Sequence, residues 1–317
     1  GKGKKYDVLI GLSGGVDSTY VAYLCYKFKI RAIAVHLDNG WNSELSVVNI
    51  KNILKVTGFD LYTYVINWNE FKDLQRSYFK ADVVDIEVLT DHAISSIMQR
   101  IAIKHRINYV LSGSSITTEG ILPESWVFNK HDHLNIKAIQ NKFGTVKIKS
   151  FPINGFLTGI IKNKIYKIKK VDILNYINYD KVEAKQIIKD VFKWRDYGGK
   201  HYESVFTRFY QAYILPEKFK IDKRKSHYST LICAGQLTRD EAFLLLKDPL
   251  YSSELLKNYD KDYLIKKLEF TPKEFEEYIA RNRVEHIKYN SITKYMLILS
   301  KIKRRLLFWK YTENNVM

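Results

Sequence analysis

Ser13-Gly14-Gly15-Val16-Asp17-Ser18-Thr19 is the stretch whose residue types and spacing point most directly to chemistry. Two adjacent glycines let the backbone take φ values closed to other residues and approach an anion closely. Ser13, Ser18 and Thr19 add hydroxyl donors around the same point. Asp17 would be costly facing a phosphate alone, so it reads as a ligand for Mg²⁺, a hard cation that takes oxygen donors. An apolar run, Tyr6–Leu12, precedes the loop, and a helical pattern of Tyr20, Val21, Leu24, Cys25 and Phe28 follows it. Strand, glycine turn and helix together make a phosphate site. The start of the helix points unpaired N–H groups and a positive dipole end at the bound anion. The loop lacks the Gly-Lys-Ser/Thr ending of a Walker loop and the G-x-G-x-x-G spacing of dinucleotide folds.

In its order of residues, SGGxDS after a strand, the loop resembles the PP-loop of the ATP pyrophosphatases. That resemblance implies a loop that holds the β,γ-pyrophosphate of ATP while the α-phosphate is attacked.

The elements needed to position such a loop are visible in the first 120 or so residues. Strands are expected at Tyr6–Leu12, Arg31–Leu37, Leu61–Ile66 and Tyr109–Ser112, nearly continuous apolar runs that suit a sheet covered on both faces. Between them, Val47, Ile50, Ile53 and Leu54 form one helical stripe stopped by Gly58. Ile94, Ile97, Met98 and Ile101 form another, with Asp91 near its start. The alternation predicts an α/β fold with a doubly wound parallel sheet. In such sheets ligands bind at the carboxyl ends of the strands. The glycine loop, the Asp38-Asn39-Gly40-Trp41 turn and the Ser112-Gly113-Ser114-Ser115 turn all fall there.

From Pro123 to about Ser150 the pattern weakens into an irregular insertion near the site, holding His131, Asp132 and His133. The remainder reads as helical. Thr238-x-x-Glu241 and Thr271-Pro272-x-Glu274 are capping boxes, the second with proline at the first helical position. Met296 to Trp309 reads as a final helix with one apolar and one basic side. The expected division is an ATP-binding α/β domain over 1–150 and a mainly helical substrate or partner domain over 151–317, packed over the nucleotide site.

At 317 residues, 46% apolar and 27% charged, the chain can bury a real core. No apolar run approaches the roughly 20 residues that span a bilayer. No secretory leader is visible. Cys25 and Cys233 make no disulfide or metal framework and read as small buried apolar side chains. A cytoplasmic location is expected. The net charge of +18 raises nucleic acid or an anionic surface as a partner. The lysines, however, are spread among Ile, Asn and Tyr. Local concentrations at 162–164, 167–170, 218–225 and 301–305 read by default as solvated faces. Nucleic acid is therefore not the expected partner. Polyphosphate ligands would be attracted without it.

Several longer stretches resemble the N-acetyl sugar amidotransferase family of the WbpG/PseA type. They are Ser13–Thr19, His36-Leu-Asp38-Asn39-Gly40-Trp41-Asn42, and Trp194-Arg195-Asp196-Tyr197-Gly198-Gly199-Lys200-His201-Tyr202-Glu203. Leu215-Pro216-x-Lys218-Phe219 through Asp222-Lys223-Arg224 to His227, and Gly235 through Thr238-Arg239 to Ala242, add to them. Members usually begin with a cysteine-rich, zinc-binding segment, whereas this chain begins at Gly1-Lys-Gly-Lys-Lys, so no zinc site is expected in these residues. The resemblance implies that an acetamido oxygen attacks the α-phosphorus of ATP, expels pyrophosphate and forms an adenylated imidate. Ammonia then adds, AMP leaves, and an acetamidino sugar for bacterial surface polysaccharide or flagellin glycan results. It implies a nucleotide-linked N-acetyl sugar as substrate. It also implies a separate glutaminase subunit, with an ammonia-channelling subunit as a further possible partner. No Cys/His/Glu glutaminase set is evident in this chain.

Within that resemblance, Ser13, Gly14, Gly15, Ser18 and Thr19 would cradle pyrophosphate, and Asp17 would coordinate Mg²⁺. His36, Leu37 and Asp38 would border the adenosine, with a buried structural histidine as the plain reading of His36. Ser112, Gly113 and Ser114 would approach the α-phosphate or ribose. Glu119 would be a second metal contact or a substrate contact, against an exposed-loop reading. Lys200, Lys223 and Arg224 would stabilise the anionic transition state. His201, Glu203 or His227 would take the proton shed by attacking ammonia.

Three other readings share parts of this pattern: a tRNA-modifying PP-loop enzyme, a non-catalytic nucleotide- or RNA-binding protein, and an asparagine- or NAD-synthetase-like amidation.

Overall fold

The computed structural model describes residues 3–198, 202–298 and 300. Five parallel strands form one sheet in the order β3-β2-β1-β4-β5. They are β1 Val8–Gly11, β2 Ala32–Asp38, β3 Asp60–Val65, β4 Tyr109–Ser112 and β5 Lys169–Asp172. Chain order runs outward from β1 to β3, then returns to the far side of β1 for β4 and β5. The reversal therefore lies between β1 and β4, where open α/β sheets leave a crevice at their carboxyl ends.

Alternation along the strands assigns the two faces. Leu9, Ile33 and Val35 pack on α4 (Val88–Lys104) through Ile97 and Ile101. Val8, Ile10, Ala32 and Ala34 face the other layer. That layer is built from α1 (Val16–Lys27) and α2 (Glu44–Thr57), together with the Ala184, Ile188 and Phe192 helix described below. Gly58 closes α2 in the left-handed region at φ +67°, the stop its position predicts. The four expected strands are present within two residues of their expected ends, and both helical stripes lie within helices.

The stretch read as an irregular insertion is more ordered than its pattern suggests. It contains α6 (His133–Phe143), capped by the buried Asp132, while α3 (Trp68–Ala81) and α5 (Ile116–Glu119) precede it. Asp132 also accepts from Ser291 Oγ at 2.6 Å and Ile292 N at 3.0 Å, tying the insertion to the chain's later residues. Buried carboxylates on α3 hold the loop beyond α6. Asp73 accepts from Thr145 N and Val146 N, each at 2.9 Å. Glu70 accepts from Ser150 N at 2.9 Å and Phe151 N at 2.8 Å. Burial alone would raise both carboxyl pKa values, but these donors outweigh it and hold them below the ordinary range.

Beyond residue 150 come α7 (Phe156–Ile165), then β5, then α8 (Lys181–Phe192). β5 thus joins the sheet from past the expected boundary, pairing Tyr109 with Lys169 and Ser112 with Asp172. The rest is helical: α9 (Val205–Phe209), a π-helical turn at Tyr210–Ile214, α10 (Leu215–Phe219), α11 (Lys223–Cys233), α12 (Arg239–Leu245), α13 (Glu254–Lys267) and α14 (Pro272–Ala280). Both capping boxes form, at α12 and α14. One large core joins the two halves, with Trp41, Phe71 and Phe79 packed among Phe206, Tyr210, Leu264 and Phe275. Lys218 departs from the solvated-face reading. Its ammonium is buried and donates to the Tyr278 and Arg281 carbonyls at 2.5 and 2.7 Å. Of the expected Met296–Trp309 helix, residues 299 and 301–309 lie outside the described residues. Among the described residues no helix is long and apolar enough to cross a membrane.

Candidate active site

The loop after β1 is drawn tight by its own hydroxyls. Gly15 N–H donates to Ser13 Oγ at 3.2 Å, and Ser18 Oγ donates to the Gly15 carbonyl at 3.1 Å. Ser13 and Ser18 hydroxyls lie 3.1 Å apart. Gly14 sits at φ +82°, and a Cβ there would stand 2.7 Å from the Ser46 carbonyl oxygen, so the position demands glycine. The first turn of α1 leaves the N–H groups of Val16, Asp17 and Ser18 without intrahelical acceptors, the arrangement that binds an anion.

The neighbouring loop after β4 closes on it. A Cβ on Gly113 would come within 3.0 Å of the Asp17 carbonyl carbon, so glycine permits the two loops to touch. Ser112 Oγ donates to Ser114 Oγ at 3.0 Å and accepts from Ser114 N at 3.1 Å.

Downstream residues cover the loop. Trp194 Nε1–H donates to the Gly14 carbonyl at 2.8 Å. Asn49 of α2 holds Arg195 by both backbone groups, each at 2.9 Å. Tyr197 Oη accepts from Val16 N–H at 3.2 Å, taking one of the first-turn donors. Burial first, and the nearby Glu203 second, push the Tyr197 phenol far above its ordinary pKa, so it stays a neutral donor and acceptor. Residues 203–205 then pair with the turn after β2. Ser43 N donates to the Glu203 carbonyl and Val205 N to the Trp41 carbonyl, both at 2.9 Å. A Cβ on Gly15 would lie 3.2 Å from Glu203 Oε1, which places that carboxylate beside the glycine loop.

A cleft opens over these loops. One lobe, of about 610 Å³, is walled by the glycine loop, Leu37, Ser112–Ser114, Glu119, Tyr197 and Lys181. A second lobe, of about 970 Å³, shares Ser13, Ser112–Ser114, Glu119, Glu203 and His227 with the first. It extends past Thr90, Asp91, Lys130, His131, Asn154, Gln211 and Lys223. Lys130 lies 2.7 Å from the buried Asp85 and 3.0 Å from Asp91. Burial opposes its charge, but these two carboxylates outweigh that and keep it protonated. His227 Nδ1 lies 3.0 Å from the Thr118 carbonyl, which joins α11 to α5 and sets Glu119 at the cleft.

Most of the expected residues meet here: Ser13, Gly15, Asp17, Ser18, Leu37, Ser112, Gly113, Ser114, Glu119 and Glu203 line the first lobe, and Lys223 the second lobe. Gly14 lines neither lobe, its carbonyl being taken by Trp194, and four others are placed differently. Thr19 is fully buried and donates to the Gly15 carbonyl at 2.7 Å, which fastens the helix start instead of facing the cleft. His36 is the buried structural histidine. Its Nδ1–H donates to the Leu12 carbonyl at 2.9 Å and its Nε2 accepts from Asn42 Nδ2 at 3.1 Å. Asp38 folds back on its own turn, accepting from Gly40 N at 3.0 Å. Arg224 is spent on Asp222, at 2.8 Å, and on the Asp248 carbonyl, at 2.7 Å. Lys200 and His201 lie outside the described residues. Cys25 is buried, and burial pushes its thiol up to about 12, so it is no nucleophile at neutral pH, whereas Cys233, expected to be buried as well, is exposed near the end of α11.

Two side chains missed in the sequence bear on Asp17. Tyr179 Oη donates to Asp17 Oδ1, and Lys181 Nζ stands 3.7 Å from Oδ2. Asp180 followed by Glu183 three residues on was the available signal for a helix starting at Lys181. As for Mg²⁺, no three His, Cys, Asp or Glu among the described residues converge into a ready-made metal site. The lobe does present Asp17, Glu119 and Glu203, oxygen donors of the hard kind. Mg²⁺ is usually held by one or two carboxylates plus substrate phosphates, and this donor set fits that pattern.

The sheet order, the glycine loop at its reversal point and the carboxylate beside it form the arrangement of a PP-loop fold. Residues 2–122 match the NAD synthase family, and residues 203–303 match the family described as LPS biosynthesis protein WbpG-like, C-terminal domain. The two matches together support a relationship to the WbpG-type PP-loop ATP pyrophosphatase family. No curated protein matches it. Among solved structures it is similar to the NMN synthetase from Francisella tularensis, at 13% identity over 85% of this chain and 89% of that one, TM-score 0.36. It is also similar to the NH3-dependent NAD synthetase from Campylobacter jejuni, at 14% identity over 86% and 90%, TM-score 0.33. A third is the U34-tRNA thiolase NcsA from Methanococcus maripaludis, at 14% identity over 82% and 81%, TM-score 0.33.

Proposed function

We propose that this protein is an amidotransferase that forms AMP and pyrophosphate from ATP and converts the acetamido group of a nucleotide-linked N-acetyl sugar to an acetamidino group. The observation that carries this reading is the cover over the glycine loop. Trp194, Tyr197 and Glu203, from one of the stretches that resemble the sugar amidotransferases, dock on Gly14, Val16 and Ser43. The WbpG-like match then begins at residue 203.

In this reading the β,γ-pyrophosphate lies against Ser13, Gly15, Ser18 and the first-turn N–H groups of α1. Ser112–Ser114 face the α-phosphate from the adjacent strand end. Asp17, with Glu119 as the second contact, would hold Mg²⁺, which would supply neutralisation of the charge that builds on the leaving pyrophosphate. The acetamido oxygen attacks the α-phosphorus, pyrophosphate departs, and ammonia adds to the imidate carbon before AMP leaves with the former acetamido oxygen. Glu203 or His227 at the wall shared by the two lobes takes the proton that the added ammonia sheds. The sugar occupies the second lobe, whose Thr90, Asn154 and Gln211 suit hydroxyl and amide groups. A separate glutaminase subunit supplies ammonia.

The test is product analysis. Purified protein with ATP, Mg²⁺, ammonium and a panel of N-acetylated nucleotide sugars should release AMP and pyrophosphate only with an acceptor. The acceptor should lose about one mass unit as oxygen is replaced by NH, a consequence of the displacement chemistry. Formation of ADP would overturn the reading. The NAD synthase match over residues 2–122 favours one second reading, ammonia-dependent amidation of a carboxylate. Activity with aspartate or another acid and none with sugars would select it.

A further inference from the structure

We propose that the outward face of α7 seats this protein on an anionic membrane surface. The helix is amphipathic with its apolar side turned outward. Its inward side carries small and polar groups: the Gly159 carbonyl and Asn163 Oδ1 accept from Gln99 Nε2 of α4 at 2.9 and 2.6 Å. Its outward side carries Leu157, Ile160, Ile161 and Ile165, which are 69%, 51%, 54% and 67% exposed, at helical spacing. No residue of α7 is buried. A contiguous row of large aliphatic side chains left in water marks a surface that something else covers. Leu157, Ile161 and Ile165 line neither lobe of the cleft, so that cover is not a ligand of the cleft.

Charge selects the cover. From His133 to Val171 the chain carries nine lysines and no Asp or Glu. Lys164 falls within the aliphatic row, Lys162 beside it, and Lys167 and Lys169 just beyond its end. Lys162, Lys164 and Lys167 form no ion pair among the described residues. A second copy docked face to face would set these lysines against their own counterparts. An acidic protein would match the charge, but an exposed helix ridge offers no pocket for the buried anchor residue on which protein interfaces centre. A bilayer with anionic headgroups needs no pocket. The aliphatic side chains enter the acyl boundary, and the lysine stems run along them to hold their ammonium groups at the headgroup phosphates. At 10 residues α7 is too short to span a bilayer, so it lies in the interface plane. Phe156, Gly159, Ile160 and Asn163 of the same helix line the second lobe, so docking sets that lobe beside the membrane.

Co-sedimentation of the full chain with vesicles of phosphatidylcholine and phosphatidylglycerol in equal parts, and with vesicles of phosphatidylcholine alone, tests this. Wild type should pellet with the anionic vesicles and stay in solution with the neutral ones. Ile161→Asp should lose most of that binding. Lys162→Glu should weaken it by about fivefold or more, the scale of one lysine near an anionic surface. Leu255→Asp and Lys55→Glu, which change exposed residues on α13 and α2, should bind like wild type. A melting scan checks that each variant is folded, and Ile161→Gln replaces the Asp variant if that one is not. Wild type that ignores the anionic vesicles overturns the proposal. So does full binding by Ile161→Asp, or an equal loss in the α2 and α13 variants, since either means adsorption through net charge elsewhere. Self-association on gel filtration that Ile161→Asp abolishes also overturns it, because a second copy then covers the face. None of these outcomes touches the ATP reading.

Discussion

Trp194 donates its indole N–H to the carbonyl of Gly14 at 2.8 Å, a bond between residues 180 positions apart that fastens the downstream cover to the glycine loop. Both groups are buried, so the bond cannot be replaced by water. Trp194→Phe keeps an aromatic side chain but removes the donor and part of the buried ring volume. It should cost about 1–2 kcal/mol of stability and raise the KM for ATP more than it lowers kcat. Urea denaturation and initial-rate kinetics measure the two effects. Equal stability and unchanged KM would show that the bond does not position the loop.

Gly14→Ala tests the loop from the other side. An alanine there must hold φ +82° and place its Cβ 2.7 Å from the Ser46 carbonyl. The strained conformation alone costs on the order of 1–3 kcal/mol. The displaced loop should lose nucleotide binding even where the chain stays folded. Gly58→Ala is the comparison, because φ there is +67° but a Cβ meets nothing within 4 Å. It should lower stability and leave nucleotide affinity unchanged, as read by calorimetry.

Two buried histidines predict a pH dependence of stability. His92 Nδ1–H donates to the Lys130 carbonyl at 2.8 Å, and its Nε2 accepts from Asn154 N at 3.1 Å. His286 Nε2 accepts from Asp85 N at 3.2 Å. Burial lowers both, to about 4, below the ordinary value of 6.5. Between those values the unfolded chain binds more protons than the folded one, so stability rises with pH through this window and falls on acidification. The total loss is on the order of 2–3 kcal/mol per histidine. Glu70, Asp73 and Asp85, held below the ordinary carboxylate range, add a further loss only at lower pH. Denaturation midpoints at pH 7, 6 and 5 should fall progressively, and a flat profile over that interval would contradict the assignment.

The first four strands and the glycine loop at the sheet's carboxyl end were legible because their signals are local, whereas β5, a short strand beyond the expected boundary, was not. Apolar runs, Gly58 and two capping boxes act within a few residues of themselves. The placements of Thr19, His36 and Arg224 were not legible, because each depends on which acceptor the fold brings near. Thr19 and Ser18 are neighbours of the same type, and only the register of α1 turns one inward and leaves the other at the cleft. α6 was missed because it is held by long-range partners. Asp73 and Asp132 satisfy backbone groups 72 and 160 positions away, and no window of sequence displays that. Lys181 was overlooked for a related reason: its significance comes from facing Asp17, not from its own neighbours.

The same contrast separates two adjacent cations. Lys223 lines the second lobe, 3.8 Å from Glu87, whose carboxylate also accepts from Gln211 at 3.4 Å. Arg224 faces away and ties the start of α11 to the carbonyls that follow α12. Lys223→Met should therefore lower kcat/KM for the acceptor by about tenfold or more with little change in melting, the scale of a lost charged contact in a cleft. Arg224→Met should do the reverse, costing about 1–3 kcal/mol through its broken bonds to Asp222 and Asp248 while leaving the kinetics of the folded fraction near wild type. Thermal melts and acceptor kinetics on the two variants decide the matter. A catalytic loss in Arg224→Met at full stability would return Arg224 to the site and require α11 to turn during turnover.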